Sequence, residues 1–224
     1  MLYPFLKRAP VDLAQACTLQ RSEDVGTAGL HVSAEDRARA GRLIDPVAGR
    51  QLLVSLSCAQ AMLGAALGVS GADLQIARND AGVPFLPDWP EHSVSMSRSQ
   101  GWTATALHQG GPIGVDIELI RDLDWRSMLA MICDREEAAA FEAVGGGDRA
   151  LRARFFRMWT LKEAVMKALG LGFQAGVKRV FVPEQAFSQD TGEGRVRIVD
   201  DAFSVYWTQV EGVAVALAAI TQGD

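Results

Sequence analysis

Residues 114–118 read Gly-Val-Asp-Ile-Glu, directly after the turn residues Gly110-Gly111-Pro112. Side chains along a strand alternate between two faces. This run therefore puts Ile113, Val115 and Ile117 on one side and Asp116 and Glu118 on the other. A chain with such a strand must bury the aliphatic side against a second layer. It must also find a setting for two carboxylates only about 7 Å apart, which repel unless a cation or water screens them. Taken alone, the alternation fits an edge strand with one wet face. The glycine-proline turn before it is also where the order of elements changes, and it divides the chain near residue 110.

Before that turn, Ser33 followed by Glu35 and Asp36 reads as an N-cap with an acidic first turn, opening a helix that runs through Leu43. Pro46 breaks it. From Val47 to Leu67 the apolar residues recur at three- and four-residue spacing, which predicts a buried helix ending near Gly68. "ADLQIARN" alternates and predicts a short strand, and "NDAGVPFLPDWPEHS" predicts loop and turn. "SVSMSRS" and "WTATALH" predict two strands joined at Gln100-Gly101. After Asp124 the pattern turns helical. One helix is capped by Asp134, and a long one spans Asp148 to Leu169, closed by Gly170 and Gly172. In the tail, "VKRVFVPE", "RVRIVD", "FSVYWTQV" and "GVAVALAAI" predict strands. The result is an α/β or α+β fold in two halves, residues 1–110 and 111–224. No repeat is visible in the letters.

Bulk properties exclude several classes. The 224 residues are 49% hydrophobic, enough for one sizeable core or two small ones, and the net charge of -5 argues against a nucleic-acid partner. Cys17, Cys58 and Cys133 show no metal or disulfide spacing, which fits a reducing compartment. The opening "MLYPFLKRAP" lacks the apolar run of a signal peptide. The run "VAVALAAI" is far short of the about 20 residues that span a bilayer. The expectation is a cytoplasmic protein without a membrane segment. His31, His92 and His108 are far apart and read as structural.

The long helix carries the second feature. In "FFRMWTLKEAVMKALG", Trp159, Glu163 and Lys167 recur at four-residue steps and share a face. Glu163 and Lys167 alone could be an exposed pair worth about 0.3 kcal/mol. Phe155, Phe156, Trp159 and Leu161 leave this helix little room for water, so a helix face lining a cleft is the alternative. If it meets the Asp116 and Glu118 face, three carboxylates and an ammonium converge. Oxygen ligands with open positions suit Mg²⁺, and a lysine beside them would serve a phosphate as a point charge.

"GVDIE" at 114–118 together with "WTLKEAVMK" at 159–167 resembles the paired signature motifs of the 4′-phosphopantetheinyl transferases. Length and element order resemble the larger monomeric type, which activates peptide and polyketide synthases. The resemblance implies two similar subdomains with coenzyme A and Mg²⁺ in the cleft between them. It implies transfer of 4′-phosphopantetheine to a serine of an apo acyl or peptidyl carrier protein, with release of 3′,5′-ADP. Asp116, Glu118 and Glu163 would hold the metal, Glu163 would take the serine proton, and Lys162 and Lys167 would offset phosphate charge. "SAEDRARAGRL…DPVAGR" resembles the family's helix and CoA-binding arginine, which places Arg50 and Arg39 at the coenzyme. Ser95 and Ser97 flank its expected 3′-phosphate pocket. Apolar and basic contacts to a carrier protein point to Met128, Met131, Met158, Arg149, Arg152 and Arg154.

Two positions depart from the family. Its "GKP" or "GRP" turn is Gly82-Val83-Pro84 here, and its "SHS", whose histidine meets the 3′-phosphate, is Ser95-Met96-Ser97. Both changes remove partners at the adenosine end while the metal end is intact. Each charge-assisted phosphate contact is worth about 1.5–3 kcal/mol, so losing two could weaken CoA binding a hundredfold. Arg98 and Arg78 are nearby cations that could substitute. Two functions follow: a transferase that binds CoA through other cations, or a repurposed member acting on a carrier-tethered intermediate by other acid–base chemistry.

Overall fold

A computed structural model describes residues 14, 16–22, 32–171, 176–198 and 201–220. The leader reading at 1–10, His31, Gly172 and residues 199–200 of "RVRIVD" lie outside the described residues.

The fold is α+β with two antiparallel sheets, and it follows one plan twice. In the first half, β1 (Ala16–Arg21) leads into α1 (Ala34–Gly41) and the long α2 (Pro46–Leu67). The chain then runs through β2 (Ala77–Arg78), β3 (Pro84–Phe85), β4 (His92–Ser99) and β5 (Trp102–Gln109). In the second half, β6 (Ile113–Leu119) leads into α3 (Trp125–Ile132), α4 (Arg135–Ala143) and the long α5 (Asp148–Ala168). A short α6 (Gln185–Ser188) precedes β7 (Gly192–Ile198), β8 (Asp201–Val210) and β9 (Val213–Ile220). The sheet orders are β1-β5-β4-β3-β2 and β6-β9-β8-β7. In each half the last strand returns antiparallel beside the first. The repeat that the letters hide is present in the topology.

Local chemistry explains most boundaries. The Ser33 side chain accepts from Asp36 N at the start of α1, and Asp45 accepts from Val47 N at the start of α2, with Pro46 in its first turn. Gly68 ends α2 in the left-handed conformation at φ 73°. Strand β9 reads as an unbroken apolar run because both of its faces are covered. Val213, Val215, Leu217 and Ala219 join a core layer with β1, β5 and β6, which couples the two sheets. Ala214, Ala216 and Ala218 join the larger core around α5. Helix α2 covers the first sheet through Ala59 and Leu63 against Val94 and Leu107.

Two expected strands fail for identifiable reasons. In "ADLQIARN" only Ala77 and Arg78 pair, because the Leu74 carbonyl is taken by the Gln60 amide at 3.1 Å. In "VKRVFVPE", residues 177–179 form a 3₁₀ turn and the rest pairs with side chains instead of a strand. The Val182 N–H donates to Glu137 Oε1 at 3.2 Å, and the carbonyls of Val177 and Val180 accept from Lys162. Strand β1 had no signal in the sequence reading, and α1 is shorter than expected, ending at Gly41 rather than Leu43.

Candidate active site

Strand β6 is an edge strand of its sheet, but it is not solvated. Its odd-numbered side chains fill the layer between the sheets. Its even-numbered face lies against α5 so closely that a Cβ on Gly114 would sit 1.8 Å from the Ala164 carbonyl oxygen. Only glycine allows this approach, which brings the Asp116 and Glu118 face to the helix. The free edge of β6 is sealed by hydroxyls from the other sheet. Ser95, Ser97 and Ser99 on β4 accept from the N–H groups of Val115, Ile117 and Leu119 at 3.0, 3.3 and 3.1 Å. The same Ser97 donates to Asp116 Oδ1 at 2.8 Å, and Ser99 donates to Glu118 Oε2 at 2.7 Å. This serine ladder joins the two halves and orients both acids.

A cavity of about 370 Å³ opens between the halves. Asp116, Glu118, Glu163 and Lys167 line one side, with Trp159 beside them; Arg39, Arg78 and Arg98 line it from the first half. The Lys167 ammonium donates to Asp116 Oδ1 at 2.8 Å and to the Val115 carbonyl at 3.2 Å. Glu118 also accepts from Arg121 Nη1 at 2.9 Å. Burial pushes the Asp116 carboxyl above the usual carboxylate range, against the opposing pull of Lys167 and Ser97. Glu163 is pushed up to about 7, first by burial and then by the neighbouring Asp116 and Glu118 charges. A second cavity of about 390 Å³, lined by Arg21, Arg50, Gln51, Gln100 and Trp102, holds no carboxylate and none of the motif residues. Size alone does not mark the site.

Several expected residues are thus placed together, and others are not. Asp116, Glu118, Glu163, Lys167, Arg39 and Ser97 meet in one cleft. Arg50 is exposed and lines the other cavity. Ser95 and Ser97 are buried, with their hydroxyls committed to β6 rather than open to a phosphate.

Lys162 is a correction. Although it sits inside the motif, it is fully buried on the opposite side of α5. It donates to Glu137 Oε2 at 2.6 Å and to the Val177 and Val180 carbonyls. The stripe Met158, Lys162, Val165 and Met166 is all buried, so its helical spacing already pointed inward. Met158 is core as well. Arg154 is spent on the carbonyls of Phe187, Phe141 and Gly145 at 2.6, 2.7 and 2.8 Å, so it cannot serve a docking surface. Arg152 pairs with Asp122 and Asp148, each at 2.8 Å, while Met131 is exposed. Ser99, which the reading passed over, was signalled by the serines at 95, 97 and 99 in "SVSMSRS".

The donor set can be tested for a divalent cation. Among the described residues, no three His, Cys, Asp or Glu side chains are close enough together to form a ready metal cage. Lys167 and Arg121 hold the places a cation would take on Asp116 and Glu118. Yet Asp116 Oδ2 is buried with no hydrogen-bond partner, and Glu163 faces two other carboxylates from within the same cleft. An oxygen-only set with an unpartnered acceptor and mutually repelling acids fits a hard cation such as Mg²⁺.

The sequence profile of the 4′-phosphopantetheinyl transferase superfamily matches residues 112–218, the segment that carries β6 and α5. The chain is 30% identical over 169 residues to a phosphopantetheinyl transferase of Thraustochytrium, covering 68% of this chain and 56% of that protein. It is 29% identical over 145 residues to the 4′-phosphopantetheinyl transferase HetI of Nostoc, covering 63% and 60% of the two chains. It is 24% identical over 168 residues to the 4′-phosphopantetheinyl transferase ffp of Bacillus subtilis, covering 75% and 70%. With the cleft of one half facing the arginines of the other, these matches place the chain in the 4′-phosphopantetheinyl transferase superfamily. The matched stretch spans less than two thirds of the first two relatives' lengths. Among the described residues, no helix is long and apolar enough to cross a membrane.

Proposed function

We propose that this chain transfers 4′-phosphopantetheine from coenzyme A to a serine of an apo acyl or peptidyl carrier protein. The observation that carries the reading is the cleft itself: three carboxylates and Lys167 on one wall, three arginines on the other. Such a cavity suits a pyrophosphate ester, whose transfer needs positioning and charge neutralisation more than covalent help. Glu163 accepts the proton of the serine hydroxyl as its oxygen bonds to phosphorus and the bond to the departing 3′,5′-ADP breaks. A carboxylate held at about 7 is both largely ionised near neutrality and basic enough for that task. Asp116, Glu118 and Glu163 would hold Mg²⁺, which supplies Lewis-acid charge stabilisation at the pyrophosphate when bound. Lys167 keeps a positive charge beside Asp116, where it can meet phosphate oxygens.

The boundary between the halves falls at residues 110 and 111, in the turn between β5 and β6. All the groups invoked come from one chain, so a monomer suffices. Three buried free thiols support a reducing, cytoplasmic setting. A second reading has its own observation. Val83 and Met96, where the family carries cations, line an adjoining apolar groove of about 210 Å³, as a repurposed enzyme with a different ligand would need. The deciding experiment incubates the protein with CoA, Mg²⁺ and a panel of apo carrier proteins. Gain of one phosphopantetheine mass on a carrier supports the transferase. No transfer by folded protein across the panel sinks it and favours the second reading.

A further inference from the structure

We infer that Arg39, Arg78 and Arg98 form a cradle for a phosphate monoester dianion, and that in this chain it takes the nucleotide 3′-phosphate. The three side chains come from α1, β2 and β4 and line the same cavity as the carboxylates. Arginines elsewhere in this molecule are matched. Arg121, Arg126, Arg152 and Arg157 pair with acids, and Arg154 is saturated by carbonyls. This trio is not. Arg39 Nη1 is buried without a partner, and among the described residues Arg98 makes no hydrogen bond or ion pair. Arg78 donates only to the Gly82 carbonyl, at 2.8 Å.

Burial and the Arg39 charge depress both Arg78 and Arg98, as expected of guanidiniums gathered without an anion. Asp36 opposes this at Arg78, but its carboxylate already accepts from Ser33 Oγ at 2.8 Å. Three guanidiniums offer forked donors matched to phosphate oxygens, and a dianion relieves their repulsion. The cradle also lies beside the two positions where family cations are absent. Met96 is adjacent on β4 to Ser97 and Arg98, and Val83 follows the turn that Arg78 closes onto Gly82. The anion site has moved by a residue or two along the same strands.

The ligand's identity rests on the transferase reading, but the cradle is tested without it. Titration calorimetry compares 3′,5′-ADP with 5′-AMP and with inorganic phosphate, on wild type, R98M and R78M. Each lost charge-assisted contact should weaken the 3′-phosphorylated ligand by about tenfold or more. The expected result is a wild-type preference for 3′,5′-ADP over 5′-AMP that each variant reduces and the double variant erases, with 5′-AMP affinity unchanged. Equal binding of the two nucleotides by wild type, or a preference that survives in the double variant, overturns the inference. Inorganic phosphate binding as tightly as 3′,5′-ADP would make the cradle a free-anion site and overturn the nucleotide assignment. If the preference holds while no carrier protein is loaded, the cradle stands and the transferase reading fails.

Discussion

The two halves share one topology and divide the chemistry. In each, a first strand is followed by helices and then by strands that bring the last beside the first. In the second half the first strand reads "IGVDIEL" and the long helix carries Glu163 and Lys167. In the first half the corresponding strand reads "ACTLQR", and the long α2 has no Asp, Glu or Lys at all. The first half instead sends guanidiniums into the cleft from α1, β2 and β4. A repeated frame therefore need not repeat its site. One copy supplies acids and a base, the other cations, and the cleft needs both.

The comparison is easiest to break through the buried pair that only the second half has. Lys162→Met leaves Glu137 as an uncompensated buried charge and strips two carbonyls of their donor. Urea unfolding should show a loss of about 3–5 kcal/mol. An unchanged midpoint would mean that the pair is not buried as described. Gly114→Ala comes next. The added Cβ meets the backbone of α5, so the strand or helix must move, and overpacking of this kind costs about 1–3 kcal/mol. Since it shifts the strand that carries the acids, carrier loading should fall more than stability does. The seam between the halves gives a third test. Ser97→Ala removes the acceptor for Ile117 N–H and a donor to Asp116, at about 1–3 kcal/mol for a buried group left unpaired. Ser93→Ala, on the same strand but outside the ladder, should do little.

The smallest effect has the opposite sign. Because the folded-state pKa of Glu163 is raised, wild-type stability is lost as pH climbs from the usual carboxylate range through about 7. Glu163→Gln, with chelator present, should match wild type near pH 4. By pH 8 it should be more stable by about 1 kcal/mol, after allowing for solvent screening of a partly exposed group. Thermal melts across that range check it, and a constant gap would remove the strained acid from the account. Added Mg²⁺ should raise the wild-type melting temperature and leave the variant's unchanged.

Much of this was legible beforehand where a single element decides the matter. Ser33, Asp45 and Asp134 capped helices that formed, and the alternation at 114–118 set the faces of β6 correctly. What was not legible depends on partners distant in sequence. Residues 177–182 look like a strand, but their polar groups are satisfied by Glu137 and Lys162. The acids looked fit for a wet edge until β4 supplied serines 19 or 20 residues away. Motif membership misled once, at Lys162, because a motif lists letters whereas the helix assigns them to faces. The Arg50 assignment failed similarly, since one turn along α2 leads to a different cavity.

The most direct test is the single-turnover rate of carrier loading by Glu163→Gln relative to wild type, with CoA and Mg²⁺ saturating and both proteins folded. Loss of a base and of one wall of the cleft predicts a fall of about 10²- to 10⁴-fold. A variant that loads the carrier at the wild-type rate would contradict the account.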